Sequence, residues 1–321
     1  MSYKIIAKYS NELAYSEWLE ITNSFNLIFE KDFNIEYFKS KYSLNPLGFS
    51  CHGILYNNNK IVGCFTIIPR NYFVHGKEKL IGIGCDAFIL KQHRSDAHFL
   101  KNMSESVFSK ISEFKIYNFI SLPTLSSPYK YWKILGNWKD IGVLDYYIFP
   151  VNIGKLIFKK SVFKYLSFIT MYVISFLFKL FYIKSNKSYS GKIHIDMNKK
   201  IKEERFFLDS YKYITLSNND WACYRIVEED GLKVAYIIYI NKKSKKNISS
   251  IIFKMISEKG LKIDMILYIG NLKNNPINFI KVPEKFHPRK AKFIGLCKKE
   301  SIQEIIDFGN WDVSLVDFDI R

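Results

Sequence analysis

The spacing of apolar residues predicts alternating helices and strands over the first 150 residues. Apolar positions at helical intervals predict a helix over 11–29. Short runs of β-branched and aromatic residues predict two hairpins, with strands over 53–56, 60–69, 71–74 and 80–90. A helix (95–114), a strand (115–122), a helix (128–135) and a strand pair ending near Pro150 follow. This order favours an α/β or α+β fold with a mixed sheet.

The second half repeats a similar order of elements. Strands are predicted over 233–240, 263–268 and 313–316, with helices over 249–259 and 302–308. The total of 321 residues is typical of about two domains. We therefore predict one domain over 1–152, a connecting helix over 153–188 and a second domain over 189–321.

The connecting segment is unusually apolar. Between Tyr165 and Phe178 it carries no charged residue. On a helical wheel its polar residues fall within one narrow arc, with apolar residues around the rest: Lys160, Lys164, Ser167, Ser175 and Lys179. Three hypotheses fit residues 160–183: a helix lying in a membrane interface, a helix buried between domains, and a spanning helix. Spanning would put the two halves on opposite sides of the membrane.

The chain is strongly basic, with a formal net charge of +18. Six of its 48 basic residues are arginine, whereas base reading and bidentate phosphate binding favour arginine. We therefore expect no nucleic-acid partner and interpret the lysines as generic surface charge. A lysine surface that holds anionic lipids or polymers is a further hypothesis, which predicts salt-sensitive binding.

The cysteines and histidines predict neither disulfides nor a metal site. The five cysteines are an odd number, widely spaced and without a C-x-x-C pair. The histidines show no metal-ligand spacing. The first residues lack the apolar run and cleavage site of a secretory signal. We expect a cytoplasmic location, at the inner membrane face if the apolar segment binds lipid.

The junction between the strand ending near Leu90 and the helix that follows carries the most informative pattern. Backbone N–H groups at a helix start lack internal partners, which makes such a junction a ready site for a pyrophosphate. The junction resembles the acyl-CoA-binding signature R/Q-x-x-G-x-G/A of the GNAT acetyltransferase superfamily. Arg94 stands at its first position, Ala97 at the second and Phe99 at the third.

Other segments resemble the same superfamily, in the order found in GNAT-like proteins of bacterial surface-polysaccharide loci. They are Phe25 to Phe29, Lys41-Tyr42-x-x-Asn45-Pro46-x-Gly48, Ile61 to Gly63, Ile68 to Arg70, and Pro123 to Trp138. In the second half, Trp221-x-x-Tyr224-Arg225 and Trp311 to Asp319 resemble the C-terminal domain of tandem members. That half lacks the acyl-CoA signature, which indicates a degenerate copy.

The resemblance implies transfer of an acetyl or other short acyl group from acyl-CoA to an amino or hydroxyl group of a sugar. No metal is expected to take part. It assigns acyl-CoA contacts to Phe88, Ile89, Leu90, Arg94, Ser95, Asp96, Ala97, His98 and Phe99. It assigns acceptor contacts to Tyr42, Asn45 and Arg70.

Acyl transfer needs a base for the acceptor and an acid for the leaving thiolate. Asp86, on the strand leading into the junction, is the candidate base, and burial there would raise its pKa. A salt-bridged Asp86 without a catalytic part is the alternative. Many members place a tyrosine acid where this chain has Trp132, so Tyr131 is the candidate acid and Tyr129 the alternative.

A non-catalytic protein that keeps the GNAT shape for binding or scaffolding is the main alternative function. Four residues that depart from the active pattern favour it: Ala97, Phe99, Thr124 and Trp132.

Overall fold

The computed structural model of the chain contains two mixed β-sheets with helices packed on them. It describes residues 2–123, 126–158, 162–185, 187, 191–197, 210–216, 220–259, 262–298 and 303–318. The strands are β1 (Tyr3–Tyr9), β2 (Cys51–Asn57), β3 (Lys60–Val74), β4 (Lys77–Ile89), β5 (Asn118–Ser121), β6 (Lys139–Val143), β7 (Asp145–Pro150), β8 (Ile193–Ile195), β9 (Tyr211–Thr215), β10 (Trp221–Glu229), β11 (Leu232–Ile240), β12 (Met265–Gly270), β13 (Ile280–Lys281) and β14 (Lys292–Cys297). The helices are α1 (Tyr15–Phe29), α2 (Ile35–Ser43), α3 (Phe99–Ile111), α4 (Ser126–Ile134), α5 (Ile153–Phe158), α6 (Val162–Phe181) and α7 (Lys245–Lys259).

The chain divides into two compact units that are not continuous in sequence. Unit 1 comprises the described residues within Met1–Gly142, Ile195–Arg205 and Ala291–Asn310. Unit 2 comprises those within Val143–His194, Phe206–Lys290 and Trp311–Arg321. The units are not continuous because β7 pairs with β12 in one sheet, whereas β14 pairs with β5 in the other. The domain boundaries at 152 and 188 remain a prediction.

The sheet of unit 1 runs in the order β1-β2-β3-β4-β5-β14-β6. The pairs β1–β2, β2–β3 and β3–β4 are antiparallel, and β4 and β5 are parallel. Helix α3 connects this parallel pair and packs on the sheet so closely that a Cβ at Gly53 would lie 2.4 Å from the Met103 carbonyl oxygen. A buried core of aliphatic and aromatic side chains, with Phe65 and Phe119 among them, fixes that packing.

Helix α2, which carries part of the site, begins at a side-chain cap. The Asn34 carboxamide oxygen accepts the Tyr37 backbone N–H at 2.8 Å, which satisfies one of the helix's first N–H groups. Asn26 holds the preceding turn through two hydrogen bonds with the Phe33 backbone. Phe38 and Tyr42 then bury one face of the helix.

The sheet of unit 2 runs in the order β13-β7-β12-β11-β10-β9. Its strands β11 and β12 are parallel and are connected by α7, so β11-α7-β12 repeats the arrangement β4-α3-β5. The predicted strand over 313–316 is wrong, because residues 315–317 form a short 3-10 turn after a single bridge at Ser314. No helix in the described part of the chain combines the length and apolar character that crossing a bilayer requires.

Candidate active site

The site in unit 1 is organised by a β-bulge in β4. Cys64 of β3 lies opposite Phe88, and Thr66 lies opposite Cys85, so Phe65 faces two residues of β4, Asp86 and Ala87. Asp86 takes a left-handed backbone conformation with φ of 52°. A bulge of this kind re-aims side chains and increases the local bend of the strand.

Beside the bulge, the parallel strands β4 and β5 stop pairing. Gly82 and Ile83 of β4 pair with Phe119 and Ile120 of β5. The Ser121 hydroxyl then donates to the Gly84 carbonyl at 2.8 Å, and β5 ends there, whereas β4 continues to Ile89 paired with β3. The carboxyl end of the β4–β5 pair is therefore a natural position for a ligand, as in other open sheets with a crossover helix.

The Asp86 carboxylate lies in a buried ion pair with Lys41 of α2. The Lys41 ammonium lies 2.5 Å from Asp86 Oδ2, and the side chains are 6% and 9% exposed. The Tyr42 hydroxyl donates to the same oxygen. Burial and then the nearby Asp86 charge raise the pKa of Tyr42 well above its usual range, so this phenol stays protonated. Asp86 is thus buried as expected, but as part of a Lys41–Asp86–Tyr42 cluster.

Lys41 was not identified from the sequence. Its signal is its position three residues after Phe38, because residues three and four apart share a helix face and Phe38 and Tyr42 mark the buried face of α2. A lysine there is buried with its aliphatic stem among aromatic rings, and its nitrogen lies 5.0 Å from the Tyr42 ring centre.

His52 lies directly behind this cluster and is fully buried. Its ring nitrogens pair with the hydroxyls of Ser10 and Thr66, each at 2.9 Å. Burial, and then the positive charge of Lys41, lower its pKa to about 3. His52 is therefore neutral at physiological pH and acts as a polar core residue.

The loop from β4 to α3 is exposed and is partly stabilised by its own hydrogen bonds. The Arg94 Nε donates to the Ile89 carbonyl at 2.8 Å, and the Asp96 carboxylate accepts the His98 backbone N–H at 2.7 Å. Ser95, Ala97 and His98 are exposed, so the predicted acyl-CoA contacts from Arg94 to His98 lie together on one surface loop.

Phe99, at the third position of the signature, points away from that loop. It is buried in the core of unit 1, with its ring centre 4.7 Å from that of Tyr3. Its bulk therefore fills the core beneath the loop and leaves the outer face of the loop unobstructed by this side chain.

Tyr131 of α4 touches the start of α3. Its hydroxyl donates to the Ala97 carbonyl at 2.5 Å and accepts the Lys101 backbone N–H at 2.8 Å. Burial raises its pKa, while the Lys101 hydrogen bond opposes that rise. The hydroxyl thus caps the first turn of α3. The predicted acid function of Tyr131 remains a prediction.

The neighbouring residues of α4 have different environments. Trp132 is buried against Phe65 and Trp138, with ring centres 5.1 and 5.6 Å away. Tyr129 donates to Asp140 at 2.8 Å. Thr124, which departs from the active GNAT pattern, lies outside the described residues.

The three predicted acceptor contacts lie around α2. Tyr42 contacts Asp86, whereas the Asn45 amide donates to the Tyr42 carbonyl at 2.8 Å and its oxygen accepts the Leu47 N–H. The buried Arg70 donates to the Leu44 carbonyl at 2.8 Å. Asn45 and Arg70 therefore stabilise the turn after α2 that positions Lys41 and Tyr42. Acceptor binding by these residues remains a prediction.

In unit 2, a segment of the chain itself fills the position that corresponds to the ligand end of β4 and β5. Ser314 bridges Gly270 of β12 and donates its hydroxyl to the Ile238 carbonyl of β11 at 3.1 Å. Its flanking residues Trp311 and Val313 are fully buried. Asp312 forms an ion pair with the buried Lys243. The segment Trp311–Phe318 is thus part of the core between the ends of the parallel strands.

The described residues contain no group of three or more His, Cys, Asp or Glu that could hold a metal ion.

No protein-family model and no curated protein matches the sequence. Solved structures do match it. A GCN5-related N-acetyltransferase from Anabaena variabilis aligns with a TM-score of 0.60 at 10% identity, over 93% of this chain and 73% of that one. This chain has the GCN5-related N-acyltransferase fold. A protein of unknown function from Enterococcus faecalis, described as a probable N-acyltransferase, aligns with a TM-score of 0.59 at 10% identity, over the same shares of the two chains.

A third similar structure is an N-myristoyltransferase from Saccharomyces cerevisiae with bound myristoyl-CoA. It aligns with a TM-score of 0.54 at 11% identity, over 100% of this chain and 87% of that one. The N-acyltransferase fold predicted from the junction around Arg94 is therefore confirmed.

Proposed function

We propose that unit 1 binds an acyl-CoA, with acetyl as the acyl group, and transfers that group to an amine or hydroxyl. The observation that carries the proposal is the end of β4 and β5, where pairing stops beside the bulge at Asp86 and the chain enters an exposed loop before α3. The three similar structures named above support it through their fold.

The residues at this end of β4 and β5 are arranged differently for the two parts of acyl-CoA, its pantetheine thioester and its pyrophosphate. The backbone of Phe88 to Leu90 would hold the pantetheine and the thioester carbonyl, and the loop from Arg94 to His98 would hold the pyrophosphate. Phe99 does not obstruct acyl-CoA on this loop, because its ring is buried in the core of unit 1. Two N–H groups at the start of α3 already have partners, since Asp96 accepts from His98 and Tyr131 accepts from Lys101. Pyrophosphate binding to those two groups would require their release.

When bound, acyl-CoA supplies an activated thioester, and the chain has to supply a proton acceptor. Asp86 is the proposed base because it is the buried carboxylate at the bulge. Lys41 stabilises the anionic form of that carboxylate and so competes with the incoming proton. Tyr42 and Lys41 orient the carboxylate through Oδ2. Direct attack on the thioester, without an acyl-enzyme, is the proposed route.

We propose a sugar as the acceptor, in the assembly of a surface polysaccharide, and a tandem arrangement in which unit 2 does not bind acyl-CoA. The choice of a sugar as the acceptor is based on two segments, Lys41 to Gly48 and Pro123 to Trp138, which resemble GNAT-like proteins of surface-polysaccharide loci. The assignment of unit 2 is supported by the buried segment Trp311–Phe318, which fills its corresponding strand ends.

Calorimetric titration of acetyl-CoA into the full chain tests the proposal. We expect saturable micromolar binding, about −8 kcal/mol, with one ligand per chain. Arg94→Ala should weaken it, whereas Arg289→Ala, which removes an exposed arginine from unit 2, should not. Absence of binding at millimolar ligand would refute the proposal, and two sites per chain would refute the assignment of unit 2.

The alternative, a non-catalytic protein with the same fold, is favoured by one observation. The two side chains predicted to act as base and acid are already bound within the chain. Lys41 pairs with Asp86, and Tyr131 caps α3. Acetyl-CoA binding without turnover across a panel of amino sugars would support this alternative. Turnover that Asp86→Asn abolishes while acetyl-CoA binding persists would support the enzyme.

A further inference from the structure

Helix α6 of unit 2 presents a continuous apolar face to solvent. Its exposed side chains recur at intervals of three and four residues, which places them on one side of a helix. Val173 and Leu177 are 48% and 56% exposed. The other exposed apolar residues of this face are Tyr165, Leu166, Ile169, Tyr172, Phe176, Leu180 and Phe181. An exposed apolar patch of this length marks an interaction surface.

Two serines of α6 face the protein instead. Ser175 is fully buried and its hydroxyl donates to the Tyr172 carbonyl at 2.8 Å. The Ser167 hydroxyl donates to the Asn152 side chain at 3.2 Å and accepts the Gly154 N–H at 3.3 Å. The helix therefore exposes much of its apolar surface, whereas an ordinary surface helix buries its apolar side.

The remaining side of α6 is anchored on α7. The rings of Tyr172 and Phe176 lie 5.4 and 5.6 Å from that of Phe253, and the Lys179 nitrogen lies 4.5 Å from the centre of that ring. Met171 is buried in the core of unit 2. These contacts hold the helix in one rotation, so its exposed face is fixed by packing.

Charge identifies the occupant of this face. Helix α6 contains no Asp or Glu. Lysines stand at both ends in the sequence, Lys159, Lys160 and Lys164 before the apolar run and Lys184 and Lys187 after it. Lys184 and Lys187 are exposed. A second copy of this +18 chain would bring the same charge, whereas an anionic lipid surface attracts it.

We propose that α6 is a docking helix for an anionic lipid bilayer, lying in the plane of the headgroups with its exposed face toward the acyl chains. Aromatic residues on the face and lysines at the ends are typical of helices that lie in this region. The inference goes beyond the proposed acyl transfer and does not depend on it.

Vesicle sedimentation tests the docking helix. We expect the full chain to sediment with vesicles of phosphatidylcholine and phosphatidylglycerol, less so as salt rises, and to stay in solution with phosphatidylcholine alone. The double variant Val173→Asp/Leu177→Asp should bind the anionic vesicles at least tenfold more weakly. Leu27→Asp/Ile134→Asp, which charges two apolar residues exposed in unit 1, should bind as the wild type does.

Absence of wild-type sedimentation, or equal weakening in both double variants, would overturn the proposal. The proposal would also be overturned if the chain did not bind vesicles but formed a concentration-dependent dimer that Val173→Asp/Leu177→Asp abolished. The face would then bind a second copy. Phe176→Trp tests insertion without adding a charge, in case the charged double variant does not fold. Its added fluorescence should be quenched by brominated lipid in anionic vesicles, and unquenched emission would overturn insertion.

Discussion

The ammonium of Lys41 lies 2.5 Å from the carboxylate of Asp86, and both groups are almost completely removed from solvent. A pair in this setting resists separation, because removing either partner leaves the other charge buried and uncompensated. The pair also connects α2 to the bulge of β4, so the orientation of Asp86 depends on a helix about 45 residues earlier in the chain.

We expect Lys41→Met to destabilise the chain by about 3–5 kcal/mol, since it leaves the Asp86 carboxylate unpaired. Asp86→Asn should cost a similar amount. Because Lys41→Met/Asp86→Asn removes both charges, the double variant should be more stable than the sum of the single effects predicts. Urea unfolding of the four proteins measures the coupling. Strictly additive losses would show that the two groups do not interact energetically.

Tyr131→Phe should separate capping from proton donation. Loss of the hydroxyl leaves the Ala97 carbonyl and the Lys101 N–H without this partner, which should lower the free energy of unfolding by about 1 kcal/mol. We expect acetyl-CoA binding to persist. Tyr129→Phe, which removes a hydroxyl bonded to Asp140, serves as the control. A fall in kcat of a hundredfold or more with unchanged stability would instead identify Tyr131 as the acid.

His52 should make the chain less stable in acid. Its folded pKa of about 3 lies below the ordinary value of about 6.5, so the unfolded chain binds the extra proton between these pH values. The stabilisation from neutral His52 is complete above pH 6.5 and is lost as pH falls toward 3. Between pH 7.5 and 5.5, the wild type should lose about 1.4 kcal/mol more than His52→Gln in urea unfolding. Parallel losses would exclude His52 as the titrating group.

Gly53→Ala should test how tightly α3 is held against the sheet. The new Cβ would lie 2.4 Å from the Met103 carbonyl oxygen, so the helix or the strand has to move, at a cost of at least about 2 kcal/mol. Gly84→Ala is the matched strand control, because its nearest neighbour is the edge of Trp138 at 3.3 Å. Thermal unfolding compares the two. Equal midpoints would contradict the close approach of α3 to β2.

Local patterns predicted much of the fold. The helix over 11–29 corresponds to α1. The second predicted hairpin corresponds to β3 and β4, which are joined at His75-Gly76, where both residues have positive φ. Strand β14 was missed because it completes the sheet of unit 1 from a distant part of the sequence. Periodicity reports which face is buried and carries no information about which sheet a strand joins.

The sequence predicted that Asp86 lies on a strand and Arg94 in the loop that follows it, and the structure has this arrangement. That these residues form an acyl-CoA site remains a prediction. The ion pair with Lys41 and the cap by Tyr131 are contacts across 45 and 34 positions. Because they depend on how α2 and α4 pack, nothing in the local sequence encodes them.

The late position of β14 in the sequence constrains how the chain folds during synthesis. The first sheet receives β14, which spans Lys292–Cys297, so unit 1 cannot complete its hydrogen bonding until residue 297 has left the ribosome. Its β5 edge stays available to other strands throughout that interval, which is the period of greatest exposure to aggregation. A nascent chain arrested before residue 292 would therefore present an unfinished sheet to chaperones.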